Sequence, residues 1–134
     1  MSGPQQLIDS IYIGDRACKA ITIDGWNATL RIQVDCISRI RSASGKWDFY
    51  SAEDIPDGFI VFKGVRRMEW QNDGYVPNDL INSLDLVGND GDAFVLKVSI
   101  DSVDSDANHH ETILRITCES IHLEDPNKPG VVIV

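Results

Sequence analysis

Residues 28–41 read ATLRIQVDCISRIR, so that Leu30, Ile32, Val34, Cys36 and Ile40 alternate with Arg31, Gln33, Asp35, Ile37, Arg39 and Arg41. A period of two sends successive side chains to opposite faces, and the stretch therefore predicts one long amphipathic β-strand. Its apolar face belongs against a core. Two later segments repeat the pattern, with Phe94, Leu96, Val98 and Ile100 in the first and Thr112, Leu114, Ile116 and Cys118 in the second.

Working outward from residue 28, the stretch Asp24-Gly25-Trp26-Asn27 reads as a turn between this strand and one over 17–24, together an antiparallel hairpin. Residues 4–10 predict a short helix opened by Pro4. On the other side, 42–50 predicts a further hairpin, and Ser51 heads a single helical turn that ends before Pro56. Asp57-Gly58 turns the chain into a strand over 59–63. Gly64 interrupts the next apolar run, which implies a bulge or tight bend before a strand over 65–70.

Residues 71–92 are the least regular part, and Gly88-Asn89-Asp90-Gly91-Asp92 predicts a loop. Strands over 93–103 and 111–124 then form a hairpin around a polar loop at 104–108. In the second of these the apolar parity changes from even (Leu114, Ile116, Cys118) to odd (Ile121, Leu123), which a one-residue bulge near Glu119 would explain. Residues 131–134 form an apolar tail suited to an edge strand. The sum is a mainly β chain, an antiparallel sandwich or partly open barrel of about six to eight strands with a short N-terminal helix. At 134 residues it has the size of one domain covering 1–134.

The chain carries 12 Lys and Arg against 21 Asp and Glu, for a net charge of −9. The excess is uneven: residues 1–67 hold nine basic and eight acidic side chains, residues 68–134 three basic and thirteen acidic. An acidic field of this kind repels phosphates and attracts basic proteins, which argues against nucleic acid and for a basic protein partner. No apolar run reaches the roughly 18–20 residues that cross a bilayer, and no membrane association is expected. The first residues lack a basic n-region and an uninterrupted apolar h-region. Three cysteines, Cys18, Cys36 and Cys118, without a Cys-x-x-Cys spacing, predict reduced thiols in a cytosol.

The candidate chemistry is sparse. Asp104, Asp106 and Asn108 imitate the start of a calcium loop, yet His109 stands where glycine is needed and Arg115 where a bidentate glutamate is needed. His109 and His110, adjacent in a strand, face opposite ways and make a poor shared metal site. No Gly-x-Ser-x-Gly elbow accompanies the three histidines, and His122 is expected to face solvent. Gly88-Asn89-Asp90-Gly91 brings carboxylates where a phosphate needs donors. The expectation is no catalytic residue, no metal and no cofactor.

Binding residues are expected in three groups. Arg31, Arg39 and Arg41 would share the polar face of the long strand. Asp90 and Asp92, with Asp104 and Asp106, would present acidic loops. Of the tryptophans, Trp26 and Trp47 lie beside turns with Trp70; closing the core ends is their expected role, and two exposed together would mark a binding patch.

The segments IYIGDRACK (11–19), DGWN (24–27), VPNDLIN (76–82) and LEDP (123–126) resemble a family of small single-domain bacterial proteins of unknown function. That resemblance covers most of the chain and implies no activity and no site residues. In size, charge and simplicity the chain is also similar to the immunity proteins that neutralise bacterial polymorphic toxins. The functional expectation is a bacterial cytosolic module that binds protein without catalysis, in a toxin-neutralising version among others. The alternatives are a small-ligand binder or enzyme with a pocket at the barrel mouth near Trp26, Trp47 and the arginine face, and a homodimer formed through an exposed sheet edge.

Overall fold

A computed structural model describes residues 3–13, 15–39, 54–72 and 74–134. It contains one helix, α1 (Pro4–Asp9), and eleven strands among those residues: β1 (Ile11–Tyr12), β2 (Cys18–Asp24), β3 (Thr29–Val34), β4 (Cys36–Arg39), β5 (Ile55–Pro56), β6 (Phe59–Lys63), β7 (Arg67–Gln71), β8 (Ile81–Asp90), β9 (Ala93–Val103), β10 (His109–Cys118) and β11 (Ser120–Glu124). Two four-stranded antiparallel sheets, ordered β11-β6-β3-β2 and β7-β10-β9-β8, hold eight of them. A small sheet, β1-β4-β5, holds the rest. The architecture is mainly β and sandwich-like, as expected, and no closed barrel forms. A backbone bridge from Ala17 to Leu80, just before β2 and β8, links the two large sheets at one corner.

Alternation explains the core. Leu30, Ile32, Val34, Ile60, Phe62 and Leu123 from one sheet meet Leu96, Val98, Ile100, Leu114 and Ile116 from the other in a single cluster. Leu7 of α1 joins it, because Pro4 starts a helix short enough to lie across the sandwich end.

The long strand predicted over 28–41 is broken at Asp35. Its first half, β3, pairs with β6, and its second half, β4, pairs with β5 in a different sheet. Asp35 and the Asp57-Gly58 step form the inside of this bend, where the Asp57 N–H donates to the Asp35 carbonyl at 2.9 Å and the Val34 N–H to the Gly58 carbonyl at 3.0 Å. Burial stops alternating across it: Leu30, Ile32 and Val34 are buried before the bend, and Ile37, Ser38 and Arg39 in succession after it.

The parity change near Glu119 has the same origin, not the expected bulge. Here β10 pairs with β7 in one sheet and β11 with β6 in the other, so a two-stranded ribbon folds around a corner made by Gly64 and Glu119. The Glu119 N–H donates to the Lys63 carbonyl (2.9 Å) and the Arg66 N–H to the Thr117 carbonyl (2.8 Å). Gly64 takes a φ of +64°, so the expected bend is present.

The irregular reading holds for 72 and 74–80, but over 81–90, and with it most of the loop expected over 88–92, it is overturned by β8, which stays paired with β9 up to Asp90 opposite Ala93. Only Gly91, at φ +63°, and Asp92 form the turn. Register shifts between Ile81 and Ser83 and between Leu86 and Gly88 scramble the strand's alternation, which hid it. Ile55 lies in β5, so the helical turn does not extend to it; its first residues, and the hairpin over 42–50, lie outside the described residues. The apolar tail does reach the sheet edge, through a bridge between Ile133 and Leu123.

Candidate functional site

Of the expected arginine stripe, Arg31 and Arg39 do not share a face. Arg31 stays on the outer side of β3, its Nε 3.8 Å from Glu124 Oε1. The corner at Asp35 turns Arg39 inward, where it is 3% exposed and its Nη2 donates to Ser10 Oγ at 3.0 Å and to the Val134 backbone oxygen at 3.4 Å. Arg39 thus ties α1 to the apolar tail. Arg41 and Trp47 lie outside the described residues. Trp26, at the tip of the β2–β3 hairpin, is 96% exposed and closes no core end.

The two acidic loops lie at opposite ends of β9, an eleven-residue strand spanning about 35 Å. At one end Asp92 pairs with Arg66 at 2.8 Å, and that guanidinium holds its carboxyl below the usual carboxylate range. Asp90 is exposed beside it. At the other end Asp104 is absorbed by its own loop: one carboxylate oxygen accepts the N–H groups of Asp106 and Asn108, both at 2.9 Å, and the other contacts His110 Nε2 at 3.0 Å. Those bonds, led by the one to His110, lower its pKa. Asp106 remains exposed at the tip.

Sequence reasoning missed what gathers around this second loop. The Tyr75 ring stacks on His110 with centroids 3.7 Å apart and planes 9° from parallel, while Tyr75 and Val76 stay 39% and 70% exposed. The Asn78 side chain fastens the segment to β9, accepting the Val103 N–H at 2.8 Å and donating to its carbonyl at 3.2 Å. Asp79, Asp101 and His109 place one donor atom each within 4.8 Å of one another, a set able to touch a cation. Of the two adjacent histidines, this set includes His109 alone. A hairpin register fixed by the 104–108 loop would have put His109 diagonal to Asp101; nothing in the sequence pointed to Asp79.

His122 is buried rather than solvent-facing, next to the equally buried Val61 on the same face of its sheet. Burial, then the nearby Lys63 charge, lowers its pKa. Cys18 and Cys118 are free and buried, and burial pushes both thiols up to about 11, which leaves them poor nucleophiles. No helix among the described residues is long and apolar enough to cross a membrane.

A cleft of about 690 Å³ opens between α1 and the starts of β9 and β11, with Leu7, Phe94 and Ile121 as apolar walls and Ser10 and Arg39 as polar lining. Its lining residues differ from those of the expected position near Trp26, where a smaller cleft of about 270 Å³ lies between Ile23, Leu30 and Met68.

What these features define is an antiparallel β-sandwich with an acidic, partly apolar end. The chain belongs to a family of unknown function (DUF6258), which it matches over residues 1–134. No curated protein and no solved structure matches it.

Proposed function

We propose that this chain is a non-catalytic protein-binding module of the bacterial cytosol, whose contact surface is the end formed by 75–79 and 101–111. The observation that carries this reading is the exposed pair Tyr75 and Val76 beside Asp79, Asp101, Asp104 and Asp106. A tyrosine held flat by stacking loses little entropy on binding and serves as an anchor, while a carboxylate rim selects a basic partner and speeds its arrival. Covering the basic active site of a toxin is the version that uses this combination most fully. The free, buried thiols of Cys18 and Cys118 favour a reducing compartment.

The test is calorimetric binding to purified products of the adjacent genes in the source genome, at low and high salt. Tyr75→Ala and Asp106→Lys are expected to weaken binding by about tenfold or more, and added salt to slow association. Asp92→Asn, at the far end of β9, should leave it unchanged. Equal loss in all three variants, or binding indifferent to the first two, would remove the reading.

The 690 Å³ cleft favours a second reading, a small apolar ligand held between Leu7, Phe94 and Ile121, since its size lies in the range of ligand sites. Ile121→Trp would fill it and abolish such binding while leaving the acidic end untouched.

A further inference from the structure

The two four-stranded sheets have four edges, and they are protected unequally. Edge strands are normally blunted by a covering segment, a bulge or an irregularity, because their unpaired N–H and C=O groups invite another strand. Along β11 the bridge from Ile133 supplies cover. Strand β8 is interrupted by two register shifts, and β2 by one between Cys18 and Ala20. Among the described residues strand β7 has none of these devices: its five residues pair with β10 in unbroken register, from Arg67 opposite Thr117 to Gln71 opposite Ile113. Four of the five are exposed and Met68 is half-buried, with Trp70 at 41%.

We propose that β7 pairs antiparallel with β7 of a second copy of this chain, across a two-fold axis at Met68, joining two four-stranded sheets into one of eight. Charge selects the occupant and the register. Arg67 and Glu69 lie on the same outer face of the strand, with Arg67 Nε 2.9 Å from Glu69 Oε1 within the chain. Antiparallel pairing centred on Met68 sets each Arg67 opposite the other copy's Glu69, so two opposite-charge pairs flank the axis. Centring it one residue later, on Glu69, would oppose two like charges. On the inner face the two Met68 side chains meet, and each Trp70 lies diagonal to the other copy's Met68, a thioether–aromatic arrangement that covers the exposed indole. The β2 edge offers no such complement, since its outer face carries Ala20, Thr22 and Asp24 and its Lys19 is bonded to Asp57. A five-residue ladder is short, so the dimer is concentration-dependent.

The experiment is solution mass by sedimentation or light scattering on the full chain over a concentration series, with circular dichroism to verify folding. The wild type should rise from its 14.9 kDa chain mass toward twice that value. Arg67→Glu and Glu69→Arg, each alone, oppose like charges across the axis and should stay monomeric. Mixed together, the two variants restore both opposite-charge pairs and should form a heterodimer. A wild type that remains monomeric at its solubility limit overturns the proposal. So do single variants that dimerise like the wild type, as a β2 edge would require, and a mixture that stays monomeric.

Discussion

The molecule turns two ribbons around corners, and the corners solve one problem with different chemistry. At the first, Asp35 lies opposite Asp57 and next to Gly58, and at the second, Glu119 lies opposite Gly64; in each an acidic residue breaks a long strand and a glycine in the neighbouring segment makes room. The first corner is packed into the core. A Cβ on Gly58 would stand 2.8 Å from Ile37 Cδ1 and 3.0 Å from both Ile55 Cγ2 and the Ile55 carbonyl oxygen. The second is at the surface, where Gly64 is needed for its φ of +64° and the nearest atoms to an added Cβ belong to the Glu119 side chain, from 2.7 Å. A strand can thus leave a sheet either because apolar packing leaves no room for a side chain or because backbone conformation excludes one.

Breaking the first corner is expected to have the largest effect. Gly58→Ala forces a methyl against a backbone oxygen and two buried isoleucines, none of which can swing into solvent, and should cost about 1–3 kcal/mol. Urea unfolding should show a lower midpoint at unchanged slope. Gly64→Ala follows, at about 1–2 kcal/mol, because alanine must hold a left-handed conformation. If the two substitutions ranked in the opposite order, the division into a packed corner and a conformational one would be wrong.

Asp35→Ala should cost less again. The Asp35 carboxylate accepts the Ala17 N–H at 3.2 Å and the Cys36 N–H at 2.9 Å, which holds the corner against the start of β2. Losing a surface acceptor of this kind is worth about 1 kcal/mol, readable in the same unfolding experiment.

These corners also explain what the sequence discloses. Period-two alternation identifies β3, β9 and β10 because both faces of a half-buried strand leave a mark. It also marks the corners themselves: Ile37 interrupts the polar face of 28–41, and Ile121 and Leu123 reverse the parity of 112–118. A parity reversal alone does not distinguish a bulge, which keeps the strand in its sheet, from a corner, which moves it to another. The distinguishing fact is what the neighbouring strand does at the same height, and that is tertiary. The basic stripe failed for this reason, since Arg39 lies beyond Asp35 and is rotated into the interior. The acidic loops were legible as composition; that Asp104 is used by its own loop while Asp106 remains available depends on hydrogen bonds that only the folded hairpin makes. Tyr75 and Val76 could not be ranked, because residues 71–80 carry no periodic signal to say which side of the chain is covered.

Glu119→Ala is the smallest expected effect and the most informative about the second corner. Glu119 is half exposed and lies 3.8 Å from Arg66 Nη2, a surface ion pair whose loss should change stability by no more than about 0.5 kcal/mol. Its value is in combination. Part of the cost of Gly64→Ala comes from the new methyl meeting the Glu119 side chain, and part from the strained backbone; removing that side chain relieves the first and leaves the second. Gly64→Ala with Glu119→Ala should therefore be less destabilised than the two single changes predict together, yet still less stable than Glu119→Ala alone. Full rescue would make the corner a matter of packing, like its counterpart at Gly58. Strict additivity would mean the carboxylate simply swings aside and that conformation alone requires the glycine.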